Sequence, residues 1–334
     1  MRRLRWLLLL VILTACHAAP AAPASPQLYA LHREAADWAL VRVAPSGELT
    51  PLLAEVDAFA PGPTFAVVLD VGWTVALWEG AGAPRAIAQC TAACHAVTWS
   101  ANGEWLAWLE GDAQGGALWA WERASGRVQL LGEALTAPMW SPVGATLAFG
   151  AAEGLTFWEA ESATFTRMPF TTATPPSWDP AGGRVAVVLG GHEVVFASPG
   201  VPFPQPLLLE IAAGAVWTEG VAWSPDGAYL ALLQRRFNPP PHDHDEPTDD
   251  RQGSETLGAQ PWLYDMTTGT LTPLPGDPGA VFAQPRWSPD GAQVAVTRIP
   301  IGVVGGAPEV WLFDAATGVR QAVFEGLAAP AWGP

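Results

Sequence analysis

Trp223-Ser224-Pro225-Asp226-Gly227-Ala228-Tyr229-Leu230-Ala231-Leu232 is the stretch on which the fold turns, because it returns as Trp287-Ser288-Pro289-Asp290-Gly291-Ala292-Gln293-Val294-Ala295-Val296. Looser copies begin at Trp99, Trp140 and Trp178. A degenerate copy begins at Phe59, with Pro61 in the proline slot, and a truncated one closes the chain as Trp332-Gly333-Pro334. The seven starts lie 40, 41, 38, 45, 64 and 45 residues apart. A near-constant period with one long interval marks a repeat architecture.

Each part of the phrase has a physical task. Proline presets φ at the second position of a tight turn, and glycine accepts a positive φ at the fourth. The turn joins a strand A, ending in tryptophan, to a strand B that reads Leu-Ala-Leu or Val-Ala-Val. A second phrase follows at Trp311-Leu312-Phe313-Asp314-Ala315-Ala316-Thr317-Gly318 and at Trp262-Leu263-Tyr264-Asp265-Met266-Thr267-Thr268-Gly269. It reads as strand C, a glycine-containing turn and strand D. Four short strands per period of about 40 residues describe a propeller blade. Runs such as Leu147-Ala148-Phe149 and Val185-Ala186-Val187-Val188 are apolar on both sides, as blades covered on both faces require. The 18 tryptophans read as core.

Residues Gln27 to Leu53 supply only strands B, C and D, and Ala329 to Trp332 supply the missing strand A. The expectation is an all-β, seven-bladed propeller over residues 27–334, closed by the carboxyl end so that no open array edge is left. The Trp-Ser-Pro-Asp-Gly-x-x-[Leu/Val/Ile]-Ala phrase is similar to the TolB-type propeller repeat. Trp99, Trp140, Trp178, Trp223, Asp226, Gly227, Trp287, Asp290, Gly291 and Trp332 carry the resemblance. TolB has an additional α/β domain, whereas here the tether runs directly into the first blade, so its role in envelope assembly does not carry over.

Before the repeats, Arg2, Arg3 and Arg5 precede a short apolar run, Trp6 to Leu13, and then Leu13-Thr14-Ala15-Cys16. The run is too short to span a bilayer and reads as a targeting segment, residues 1–15. The four-residue phrase resembles a bacterial lipobox, which implies lipidation of Cys16; an ordinary secretory signal cut near Ala18 is the other reading. Residues 16–26, rich in Ala and Pro, read as a tether reaching roughly 35 Å when extended. The expected location is therefore outside the cytoplasm, anchored by lipid at a bacterial cell envelope, in the periplasm or on the outer surface.

Without residues 1–15 the chain carries 13 arginines and no lysine against 32 carboxylates, a charge of −19. Such a surface repels phosphate backbones and anionic headgroups, so nucleic acid is not an expected partner. The missing lysine also excludes a P-loop or Schiff-base chemistry.

Cys90 and Cys94 are near neighbours in an exported chain and read as a disulfide. The long interval comes from an insertion over residues 235–260 between strands B and C of the sixth blade. It holds Pro239 to Pro241, then His242-Asp243-His244-Asp245-Glu246 and Asp249-Asp250. This composition reads first as a solvated acidic loop without fixed structure. His242, Asp243, His244 and Asp245 are also donors suited to a divalent metal, and no other cofactor is expected. His32, His95 and His192 stand alone. No Gly-x-Ser-x-Gly, His-Glu-x-x-His or glycine-rich nucleotide loop is present, and no catalytic residue is assigned.

The turns A to B and C to D belong to one face of the ring, and the loops B to C and D to A to the other. The termini fall on the first face, expected toward the membrane; the insertion and the cysteines fall on the second. The functional expectation is a monomeric binding scaffold for an unidentified envelope protein or glycan. The alternative is an enzyme acting on carbohydrate or peptide through channel residues. Strand B sequences such as Leu106-Ala107-Trp108 and Leu230-Ala231-Leu232 read as the channel lining, and their few polar groups favour the scaffold.

Overall fold

The computed structural model describes residues 26–34, 37–112, 114–172, 174–207, 209, 215–237, 256–302 and 306–333. They form 28 strands in seven four-stranded antiparallel sheets, with no helix among the described residues. Each sheet is one blade, with strands A to D running outward from the axis. The first blade takes its strand A, Leu327–Gly333, from the far end of the chain. Gln27 pairs with Gly333, Leu28 with Trp332 and Tyr29 with Ala331. The chain is a closed seven-bladed propeller.

Closure is visible in the core as well as in the pairing. The buried apolar side chains fall into seven clusters, one between each pair of neighbouring blades. The cluster between the last and first blades joins Ala295, Val310 and Phe324 to Leu28, Ala30 and Val41. Strand B is buried on both faces because a blade lies over each: Leu106 to Leu109, Val185 to Val188 and Leu230 to Leu233 are all buried. Strand D is the outer rim, as the exposure of Thr164 to Arg167 shows.

The Ser-Pro-Asp-Gly phrase folds as a self-contained hydrogen-bond unit. In blade 6 the Ser224 hydroxyl donates to Asp226 Oδ1 (2.6 Å) and accepts from the Tyr229 N–H (2.9 Å). Asp226 Oδ1 also accepts from the Ala228 N–H (3.0 Å), and the Gly227 N–H donates to the Ser224 carbonyl (2.9 Å). Ser288, Asp290, Gly291, Ala292 and Gln293 repeat every bond in blade 7. Blade 3 builds the same net with Asn102 in place of the aspartate. The Ser224 and Ser288 hydroxyls, with the backbone N–H bonds, hold Asp226 and Asp290 below the usual carboxyl range.

The ladder moves two boundaries drawn from sequence. In blade 2, Ala60 faces Ala66, the place held elsewhere by the residue just before the tryptophan, as with Thr98 opposite Ala107. The degenerate copy is thus displaced by two residues, and Pro61, not Phe59, takes the tryptophan position. In blade 6, Gln234 to Phe237 pair with Thr256 to Gln260, so the hairpin extends into both ends of the segment read as loop. Polar residues such as Gln234, Arg235 and Arg236 hid this extension, because backbone pairing needs no apolar side chain. Residues 1–25, including Cys16, and 238–255, including His242, Asp243, His244 and Asp245, lie outside the described residues.

Candidate functional site: the axial channel

Strand A, not strand B, borders the axis. A cavity of about 780 Å³ is lined by strand A or its immediate approach from all seven blades, including Asp57, His95, Met139, Pro176, Arg286 and Pro330. The expectation that strand B lines the channel is therefore corrected. Strand B is covered by blades on both sides and has no path to the axis, whereas strand A is the inner edge of its sheet.

The signature tryptophans hold these inner edges together. Trp140 Nε1 donates to the Thr98 carbonyl (3.1 Å), Trp178 Nε1 to Met139 (2.9 Å) and Trp287 Nε1 to Ala222 (2.9 Å). In each case the acceptor immediately precedes the tryptophan of the previous blade. Blade 6 uses another clamp: the Trp223 backbone N–H donates to the Ser177 hydroxyl (3.0 Å). In blades 4, 5 and 7 the indole ring fills the space between blades while its one donor finds a carbonyl.

Strand A is also bent. Three residues ahead of the tryptophan, the backbone takes a positive φ at Ala96 (52°), Gly220 (138°), Gln284 (54°) and Ala329 (49°). The ladder shifts at each of these points. In blades 4 and 5 strand A is cut to two residues, Met139–Trp140 and Ser177–Trp178, behind Pro138 and Pro175-Pro176. Such bulges re-aim side chains. They give the channel two levels, less than about 10 Å apart because the bulge shortens three residues of strand: Asp57 and His95 nearer the second face, and the residues before the tryptophans nearer the first.

That upper level has seven equivalent positions. They hold Ala60, Thr98, Met139, Ser177, Ala222, Arg286 and Ala331. Six are neutral, and Arg286 is the exception. Its side chain is open to the channel, yet protein surrounds it closely enough that desolvation depresses the guanidinium from its ordinary value. Accessibility and desolvation point in opposite directions only until the geometry is considered: a channel admits water without being bulk solvent. Arg286 Nη1 donates to the Pro285 carbonyl (3.1 Å). No carboxylate pairs with it among the described residues.

At the lower level, desolvation raises Asp57 above the usual carboxyl value, and the charges of Asp37 and Asp70 act in the same sense. The Gly72 N–H, which donates to Asp57 Oδ2 (2.8 Å), opposes them. Gly72 belongs to the tip of a B to C hairpin in which Asp70 (φ 59°) and Val71 (φ 57°) are both left-handed. The D to A loop docks on this tip, Cys94 N–H to the Gly72 carbonyl (2.7 Å) and Cys90 N–H to the Trp73 carbonyl (2.9 Å). Cys90 and Cys94 are joined by a disulfide. Glu110 lies beside the sulfurs, but disulfide sulfurs are not thiolate ligands, and Glu110 is occupied by Thr91 and Ala92.

Of the residues singled out from sequence, Trp140, Trp178, Trp223 and Trp287 line the channel, Asp226, Gly227, Asp290 and Gly291 form A to B turns on the first face, and the cysteines lie on the second. Arg286 and Asp57 were missed. The signal for Arg286 lies in the repeat itself: with the copies aligned, the residue before the tryptophan is Thr, Met, Ser, Ala, Arg and Ala.

No family model and no curated protein matches the sequence. Solved structures do. TolB from Acinetobacter baumannii superposes with a TM-score of 0.55 at 14% identity, over 92% of this chain and 67% of that one. The fold is that of a TolB-like propeller. Hydrazine synthase from Kuenenia stuttgartiensis superposes with a TM-score of 0.51 at 12% identity, covering 78% of this chain and 77% of that one. At these identities the likeness concerns the fold, and two such differently named proteins on one fold show why activity must be argued from the site.

Proposed function

We propose that this chain is an exported, lipid-anchored scaffold of the bacterial cell envelope that holds a protein or glycan partner through its propeller. The observation that carries the reading is the channel. A cavity of about 780 Å³ walled mostly by Ala, Pro, Val, Met and Trp, with Asp57, His95, Ser177, Ser224, Gln284 and Arg286 as its polar groups, suits binding of a largely apolar body with a small number of orienting contacts. The lipobox-like Leu13-Thr14-Ala15-Cys16 and the Ala/Pro-rich tether support anchoring, and both chain ends of the ring support attachment on the first face. Partner and glycan are to be sought by crosslinking in the native envelope, with residues 238–255 deleted as the control. Specific capture by the intact protein is expected; its absence contradicts the scaffold reading. Labelling with radioactive palmitate tests Cys16, since Cys16→Ser abolishes incorporation if the anchor is correct. Zinc titration addresses His242 to Asp245: a proton-releasing, saturable heat supports a metal in the insertion, and a flat titration removes it.

The enzyme reading draws on one observation, the raised carboxyl of Asp57 on the same channel level as His95. A raised carboxylate is what acid–base chemistry on a glycan or peptide bond uses. Turnover of glycoside or peptide substrates that disappears in Asp57→Asn would favour it over the scaffold.

A further inference from the structure

The other arginines with described contacts are matched. Arg298 is bridged to Asp277 (2.6 Å) and Glu309 (3.2 Å), Arg184 to Asp179 (3.3 Å) and Arg127 to Glu122 (3.6 Å). Arg320 lies 4.2 Å from the Trp311 ring centroid, and Arg184 also lies over Phe196 at 4.7 Å. Arg286 has one backbone carbonyl for its five N–H donors. Arg286 faces the channel with no carboxylate partner among the described residues, whereas the same position in the other blades holds Ala, Thr, Met or Ser. Gln284, on the same strand, has its Oε1 engaged by the Thr297 hydroxyl (3.2 Å), which leaves the two amide N–H donors over. The wall around Arg286 offers donors and apolar surface together.

We propose that the upper level of the channel is a receptor for an organic monocarboxylate, its carboxylate seated on Arg286 and its apolar body against the Pro and Trp lining. This deepens the scaffold reading and names the chemistry of what is held. One guanidinium neutralises one charge, and its planar fork matches a carboxylate bidentately. A dianion such as phosphate would keep one charge uncompensated in the channel of a protein whose charge is already −19 without residues 1–15. The Asp57 carboxylate on the level below adds repulsion against polyanions that fill the channel.

The carboxylate has two possible sources, a small free acid or the end of a peptide chain, and the test separates them. Tryptophan fluorescence and calorimetry follow 4-phenylbutyrate, N-acetyl-trialanine, their amides and inorganic phosphate titrated into the full chain. At least one acid should bind, with its amide and phosphate at least about tenfold weaker, the scale of a hydrogen bond to a charged group. Arg286→Gln should cost the acid about tenfold or more and leave the amide unchanged. Preference for 4-phenylbutyrate assigns a small acid, and preference for N-acetyl-trialanine a chain end. Arg286→Leu should melt at or above the wild-type temperature, because it removes an uncompensated charge. Equal binding of acid and amide, undiminished binding to Arg286→Gln, tighter binding of phosphate, or no binding by any probe overturns the proposal. So does a lowered melting temperature of Arg286→Leu, which would make the guanidinium structural. Failure of these probes with successful envelope crosslinking overturns the carboxylate site alone; failure of both removes the scaffold reading as well.

Discussion

Two neighbouring parts of one strand and its turn, Arg286 and the Trp287 to Gly291 phrase, obey different rules. The turn uses the same atoms in blades 6 and 7, Ser to Asp to backbone N–H, and blade 3 imitates it with asparagine. Trp287 clamps Ala222 as Trp178 clamps Met139. Arg286, one residue earlier, has no counterpart in the other blades. In a repeat protein, what recurs answers a demand every blade makes, namely turning the chain and covering a neighbour. What departs from the repeat at a position facing the axis answers a demand made once.

The difference can be broken or sharpened by mutation. Trp287→Ala removes a buried indole and an inter-blade bond and should cost about 3–5 kcal/mol in urea unfolding, the range for large-to-small core changes. Reduction of Cys90–Cys94, a staple rather than a repeated element, should cost about 2 kcal/mol from the entropy of its short loop. Trp140→Phe shrinks the buried ring and also deletes the bond to Thr98, so a loss of about 2 kcal/mol is expected in the same measurement. Val71→Gly should act in the opposite direction. A β-branched residue at φ 57° is strained, and relief should raise stability by about 1 kcal/mol. A loss there would assign Val71 a packing role that its 77% exposure does not suggest.

The smallest effect concerns pH. Asp226 and Asp290 have folded values below the unfolded one, so the stability they contribute is present above about pH 4 and is lost as the pH falls through the folded value. Both are largely solvated, which screens the effect. The double variant Asp226→Asn with Asp290→Asn should therefore flatten the acid limb of the melting curve slightly and leave the neutral limb unmoved. An unchanged acid limb would show that the turn bonds do not depend on charge.

Blade number, closure and the faces of the ring were legible because Trp-Ser-Pro-Asp-Gly and Leu-Ala-Leu are local devices whose residues announce their conformation. The channel was not. Strand A is broken by Pro138, Pro175, Pro176 and Pro285 and by bulges at Ala96, Gln284 and Ala329, so it shows no period-2 alternation. Apolar strand B imitates an inner wall, although it is buried because blades cover it. Asp57 fell within the degenerate second copy, where the missing tryptophan hid the register. Arg286 stood beside the best-matched phrase and was passed over because its neighbour carried the repeat.

Urea unfolding of Arg286→Leu beside Trp287→Ala, adjacent residues in one strand, asks most directly whether the repeating position holds the ring and the departing one serves a ligand. A loss of several kcal/mol for the tryptophan variant, with no loss or a gain for the arginine variant, is the predicted result. Comparable losses in both would contradict it.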